Sequence, residues 1–226
     1  MASTASAGSQ SGTRGAVAPP DPWDPVVRIT HWSIAVAVLA NEFLVKPGGT
    51  AHVWIGWAVM AVLALRLLWG LVGPREARFS AFPPDPRGVL SHLADLVRGR
   101  ATEHPSHNPA GAAMAYALWV SLGLMIATGL VMTDGKTPVR IAQDRAAVAD
   151  GDWSVLLQEG AAPGDKAAGT TGAEDAEGAA GIAEEVHVLV SNLILVLALL
   201  HVAGVVLESR ALGRNILRPM IGGRGT

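Results

Sequence analysis

Histidine is the residue in this chain best suited to hold a metal. The 226 residues include seven histidines and no cysteine. The missing cysteines exclude disulfides, thiolate zinc sites, cysteine-held iron–sulfur clusters and covalently attached c-type haem. Two of the histidines have a telling spacing: His187 and His201 lie fourteen residues apart. On an α-helix this is close to four whole turns, so both side chains share one face, about 21 Å apart along the axis. A helix of that kind offers two imidazoles at two depths. A second imidazole opposite each would complete axial ligation of a planar macrocycle. An iron held that way has no open position, which suits electron transfer rather than oxygen chemistry. A lone histidine of this type could equally serve as a hydrogen-bonding residue between helices. Four of them sorted by depth are harder to read so.

The elements that would position these side chains are membrane-spanning helices. Half the residues are hydrophobic, 16% are charged and the mean hydropathy is +0.35, too apolar for an ordinary soluble domain. About 20 apolar residues are needed to cross a hydrocarbon core about 30 Å thick. Four segments are read as spans: residues 29–45, interrupted by Asn41 and Glu42; 52–72, with Arg66 inside; 110–132, without a charge; and 186–207, carrying His187 and His201. Four buried helices of a soluble protein are the competing reading, and the uncharged third segment argues against it most strongly. Alternating direction then puts His31 level with His201 and His52 level with His187, giving two opposed pairs. Arg66, fourteen residues after His52, falls at the depth of the first pair, where a haem propionate could meet its charge or where it could snorkel to the interface. Gly56 and Gly204 would leave room for a porphyrin or for a neighbouring helix. Trp32, Trp54, Trp57 and Trp69 read mainly as interfacial belt residues.

The fold class expected is an all-α membrane protein, a four-transmembrane-helix bundle with a short amphipathic helix in the cytoplasmic loop. Residues 1–22 read as a disordered tail without the apolar stretch of a signal peptide, 23–220 as the bundle, and 221–226 as a C-terminal tail. Eleven arginines (Arg14, Arg28, Arg75, Arg78, Arg87, Arg98, Arg100, Arg210, Arg214, Arg218 and Arg224) fall on one side. Five cations (Lys46, Lys136, Arg140, Arg145 and Lys166) fall on the other. Both termini are therefore expected in the cytoplasm of a bacterial inner-membrane protein, with the loop 133–185 outside. That loop, rich in Gly, Ala and acidic residues, is expected to be flexible near 163–181, as a spacer or as a docking site. In the inner loop, Val89, Leu90, Leu93, Leu96 and Val97 share one helical face, the pattern of a helix lying on the membrane surface. With a net charge of −2, nothing points to nucleic acid. The expected surroundings are lipid.

Taken in order, "RITHW" (28–32), "HVWIGW" (52–57), "LRLLWGLVG" (65–73), "ARFSAF" (77–82), "HNPAGA" (107–112), "EVHVLVSN" (185–192) and "LLHVAGVV" (199–206) resemble the bacterial cytochrome b561 family, in particular the b-type cytochrome subunits of nickel–iron hydrogenases. The resemblance covers about 23–220 apart from the outer loop. It implies two b-type haems in a four-helix bundle, with ligand positions falling on His31, His52, His187 and His201. It implies electron exchange between the quinone pool and a periplasmic redox protein, hydrogenase-like or cytochrome-like. The role is then that of an electron-transfer subunit, with no catalytic residue assigned and room for a homodimer. A stand-alone quinone-linked oxidoreductase, such as a superoxide oxidase, is the alternative. A haem-free membrane scaffold or transporter is a third reading. In "HNPAGA", Asn108 and Pro109 read as a helix start, with a place for His107 near the inner haem or a quinone site as the other reading.

Overall fold

Proline and a capping side chain set the start of several helices. The computed structural model describes residues 23–100, 104, 106–157 and 171–222. In it α1 (Pro25–Phe43) opens on Asp24, whose Oδ1 accepts from the backbone N–H groups of Val26 and Val27 at 2.9 and 3.1 Å. The next helix, α2 (Thr50–Val72), starts at Gly49 without a side-chain cap. Two 3₁₀ turns, Arg75–Ala77 and Phe79–Ala81, lead to α3 (Pro86–Val97), capped by Asp85. Asn108 caps α4 (Pro109–Met132) through the Gly111 N–H at 2.7 Å, and Thr137 caps α5 (Pro138–Ala149). Each of these caps satisfies an N–H group that the first turn leaves without an intrahelical partner. The chain continues through α6 (Ser154–Leu157), α7 (Thr171–Leu212) and α8 (Arg218–Ile221). No strand occurs among the described residues.

Among the described residues three helices are long and apolar enough to cross a membrane: α2, α4 and the part of α7 from Gly178 to Leu212. The second and third expected spans thus become helices almost residue for residue. The first does not reach the same apolarity, because Arg28, His31, Asn41 and Glu42 interrupt α1. Its outward stripe is nonetheless apolar: Ile29, Trp32, Val36, Leu39 and Phe43 recur at helical spacing and are exposed. The fourth span belongs to a much longer helix than 186–207. Residues 171–181, expected to be flexible, continue it, because Ala and Glu in "AEDAEGAAGIAEE" favour helix strongly enough to outweigh two glycines. Residues 163–170, the tail 1–22 and residues 223–226 lie outside the described residues, while Ile221 closes α8.

Packing divides the bundle into two helix pairs. α1 lies along α2, and α4 lies along α7. They meet in a small apolar layer formed by Val59 and Leu63 of α2, Leu122 of α4, and Val190 and Ile194 of α7, with Ile34 and Val38 of α1 against it. Most large apolar side chains face outward instead, among them Val120, Leu199 and Val202. In water such a surface would aggregate; in lipid it is the matching surface. α3 packs on α4 and α7. Its apolar face is split: Leu90, Leu93 and Val97 stay exposed, while the neighbouring edge turns inward and buries His92. α5 sits over the start of α2, where Arg145 donates to the Gly48 carbonyl at 2.7 Å and to Thr50 Oγ1 at 2.9 Å. The C-terminal segment returns to α1, with the Trp23 N–H on the Pro219 carbonyl and Trp32 Nε1 on the Met220 carbonyl.

Gly70 lets the loop after α2 close onto the bundle, since the Phe79 ring occupies the place a Cβ would take. Gly70→Ala should therefore destabilise the protein by about 1–3 kcal/mol, as overpacking does. Gly123→Ala, where a Cβ meets nothing, should be neutral. Thermal unfolding in detergent distinguishes the two; equal stabilities would remove Phe79 as the lock.

Candidate functional site

Two of the helical stripes repeat every seven residues. On α2 the series is His52, Val59, Arg66; on α7 it is His187, Ile194, His201, Glu208. Val59 and Ile194 are buried in the apolar layer. The polar members lie above and below it. The structure brings His31 of α1 beside His201, with ring centroids 6.0 Å apart and planes inclined at 56°. It brings His52 beside His187 at 6.1 Å and 60°. The first pair lies toward the arginine-rich end of the bundle and the second toward the α5 end. Among the described residues no three His, Cys, Asp or Glu side chains converge on one point, so these imidazoles come two at a time.

The spacing within each pair can be compared with the size of a metal link. Imidazole nitrogen bonds a metal at about 2.0–2.1 Å, and the ring centre lies about 1 Å behind that nitrogen, so two rings on opposite sides of one ion have centres about 6 Å apart. Both pairs meet that requirement. Direct imidazole stacking without an ion would bring the rings closer. Gly56, one turn along from His52, and Gly204, three residues after His201, border open space: an added Cβ would meet nothing within 4 Å. No neighbouring helix packs there, which leaves the room a planar macrocycle would need.

The tautomer of His187 follows from its neighbour. Thr128 is buried, and its single hydroxyl proton is directed at the carbonyls of Leu124 (2.9 Å) and Met125 (3.0 Å). Its oxygen lies 2.8 Å from His187 Nδ1. With its proton engaged elsewhere, Oγ1 must accept, so Nδ1 carries the hydrogen and donates. Nε2 is left with its lone pair free. A ligand histidine held this way has its orientation set by its non-ligating nitrogen. At His52, Asn41 Nδ2 approaches the main-chain carbonyl at 3.4 Å, and the buried His52 Nδ1 has no hydrogen-bond partner.

Around the other pair the charge is positive. Arg66 is 5% exposed, its guanidinium lies 5.0 Å from the centre of the Trp119 ring, and one terminal nitrogen has no hydrogen-bond partner. A buried cation with an orphan donor is a seat for an anion, and a haem propionate has the right charge. His107 belongs to this end as well. It packs against Phe82 (4.6 Å between ring centres) and Trp23 (5.2 Å), and Ser106 Oγ lies 3.2 Å from its Nδ1. Burial first, then the Arg66 charge and the imidazoles of His201 and His31, push its pKa down to about 4. In "HNPAGA", Asn108 and Pro109 start a helix, as expected, and His107 packs at the arginine-rich end.

Sequence reasoning missed Thr128 and the burial of His92. Thr128 sits on a span without charges, and its only signal was a hydroxyl in an otherwise apolar run. His92 lies at 3.1 Å from Glu208 Oε2, a contact between α3 and α7 that no local pattern encodes. Of the tryptophans, Trp69 donates to Asp24 at 3.0 Å and Trp32 to Met220, hydrogen-bonded at a helix end as belt residues are, while Trp54 is exposed.

Comparison with known proteins gives one match. A family model described as prokaryotic cytochrome b561 matches residues 22–223. No curated protein and no solved structure matches.

The Thr128 contact has a measurable consequence. Thr128→Val keeps the shape but removes the hydroxyl that His187 Nδ1 contacts, which should cost about 1 kcal/mol. Thr128→Ser should retain most of the wild-type stability. Thermal unfolding of the two variants checks this, and a valine variant as stable as wild type would remove the hydrogen bond from the account.

Proposed function

The chain belongs to the prokaryotic cytochrome b561 family and is a membrane b-type cytochrome of electron transfer; from that premise we propose that it holds two b-type haems and carries electrons across the bacterial inner membrane between a periplasmic redox protein and membrane quinone. His31 and His201 hold one haem, His52 and His187 the other. The single observation that carries this reading is the pair of imidazole spacings, 6.0 and 6.1 Å, each wide enough for the two rings to hold one metal ion between them. Haem iron, when bound, supplies reversible one-electron exchange and, between two histidines, no open position for other chemistry.

The chain's own residues do the rest. Thr128 fixes the His187 ring with Nε2 toward the site. Arg66 meets the propionate charge at the arginine-rich end, which is the role its orphan nitrogen supports. Val59, Leu63, Leu122, Val190 and Ile194 form a dry layer between the two sites, so that water and protons do not follow the electron. α1 is the fourth span: its apolar stripe faces lipid, and its polar end is tied to α7, where Ser191 donates to Glu42 at 2.8 Å. α3 rests on the membrane surface through Leu90, Leu93 and Val97. The arginine bias places that surface in the cytoplasm together with both termini. The periplasmic partner docks at the α5 end, near the His52–His187 site.

Pyridine haemochrome assay of the purified chain should give two b-type haems. Replacing His31 or His201 by Ala should remove one of them, and replacing His52 or His187 should remove the other, so the four variants fall into two spectral classes with two different midpoint potentials missing. A stoichiometry of one or none in folded protein would overturn the reading. So would His31 and His52 variants that lose the same haem.

A further inference from the structure

The His92–Glu208 pair has no part in the ligation above, yet it is among the most enclosed polar contacts in the molecule. Its two side chains are 6% and 7% exposed, with Nε2 and Oε2 3.1 Å apart. Glu208 continues the ligand stripe of α7, seven residues beyond His201, about 10 Å further along the axis. His92 reaches it from α3. Burying an imidazole and a carboxylate together is not a route to stability, since an apolar pair of the same shape often does as well or better. The pair therefore invites a functional account. We infer that it is a redox-linked proton site, which takes up one proton when the adjacent His31–His201 site takes up one electron. The inference rests on the haem assignment at that site.

The charge balance is simple. The metal site gains one electron from its donor, a reduced redox protein or, in the test, dithionite. The pair gains one proton from the arginine-rich side. In the inferred step a neutral imidazole facing the carboxylate across 3.1 Å gains that proton, which makes an imidazolium–carboxylate pair. No bond to the metal forms or breaks. A unit charge about 10 Å away in a medium of effective dielectric about 20 shifts an equilibrium roughly tenfold, which for a one-electron couple is about 59 mV. Proton entry is served by His104, whose ring lies 5.7 Å from that of His92 at the start of the segment leading to α4. The other charged groups near the pair are Asp95 and Arg98 on α3 and Arg210 and Arg214 beyond Glu208. The facing part of α4, Pro109 to Ala115, has no titratable side chain. His107 lies in the chain just before it.

The sign follows from electrostatics: a protonated pair favours the reduced site, so the potential is higher at low pH and falls as pH rises. The test uses the full chain with both haems, titrated spectroelectrochemically from about pH 5 to 9. The haem lost in the His201→Ala variant identifies the relevant potential. That potential should fall by about 59 mV across the range, while the other stays nearly level. In the His92→Leu/Glu208→Met double variant, which replaces the pair by apolar side chains of similar size, it should be flat. Should that variant misfold, His92→Gln with Glu208→Gln keeps the hydrogen bond without the titration and should also be flat. A wild-type potential independent of pH overturns the inference, as does a slope that survives in either double variant. Failure of the haem assignment looks different, because the two-haem spectrum would then be missing before any titration.

Discussion

A polar side chain inside hydrocarbon must find a partner, and most of this bundle follows from meeting that demand. The spans carry few such groups: His31, His52, Arg66, Thr128, His187 and His201 among them. Each is placed where another can answer it. Thr128 answers His187 through a hydroxyl whose proton is already given to the backbone. Trp119 covers one face of Arg66. The imidazoles answer one another across a gap of about one metal ion rather than by direct contact, and that gap makes the bundle a holder of something rather than a closed core.

The remaining packing is arranged so that the gap can exist. α1 with α2, and α4 with α7, form two close pairs, and the pairs touch in one apolar layer midway between the histidines. Had the layer been larger, the helices would have closed over the two sites. Had it been absent, the pairs would be joined by side-chain contacts such as Ser191 on Glu42 and Arg66 against the Trp119 ring. The same economy explains why few side chains are fully buried: the outward surface of a helical unit in lipid is apolar by necessity, and lipid tails do not drive helices together as water would.

Much of this was legible from sequence because it rests on local periods. The fourteen-residue interval in α7, the matching interval from His52 to Arg66, and the apolar lengths of α2 and α4 are arithmetic on a helix of about 3.6 residues per turn. The Asn108–Pro109 start was legible for the same reason. The extent of α7 was not, because glycines in "AEDAEGAAGIAEE" look like a loop unless their helix-forming neighbours and the covalent continuity with a stable span are weighed together. The split face of α3 was not legible either. A hydrophobic stripe shows which residues avoid water, but not whether protein or lipid does the covering, and His92 is buried by contacts more than a hundred residues away in sequence. The role of Thr128 was hidden because a hydroxyl in a membrane helix commonly satisfies itself on the preceding turn; only its distance to His187 reveals the second bond.

The seven-residue repeat of α7 also explains why its three polar members face different neighbours. A straight helix drifts by about 20° per heptad relative to a strict repeat. His201 is thus turned about 40° from His187, and Glu208 about 60°. The first two remain directed at the α1–α2 pair, where His31 and His52 stand opposite. By Glu208 the stripe has rotated far enough to leave that pair and point at α3, so the carboxylate meets His92 rather than a residue of α1 or α2. One helix thereby links two environments with a single periodicity: imidazoles within the span, where charge is hardest to hold, and a carboxylate at its arginine-rich end, where a second helix covers it. Glu208 also lies about 10 Å beyond His201 along the axis, and that distance keeps the carboxylate outside the His31–His201 pair.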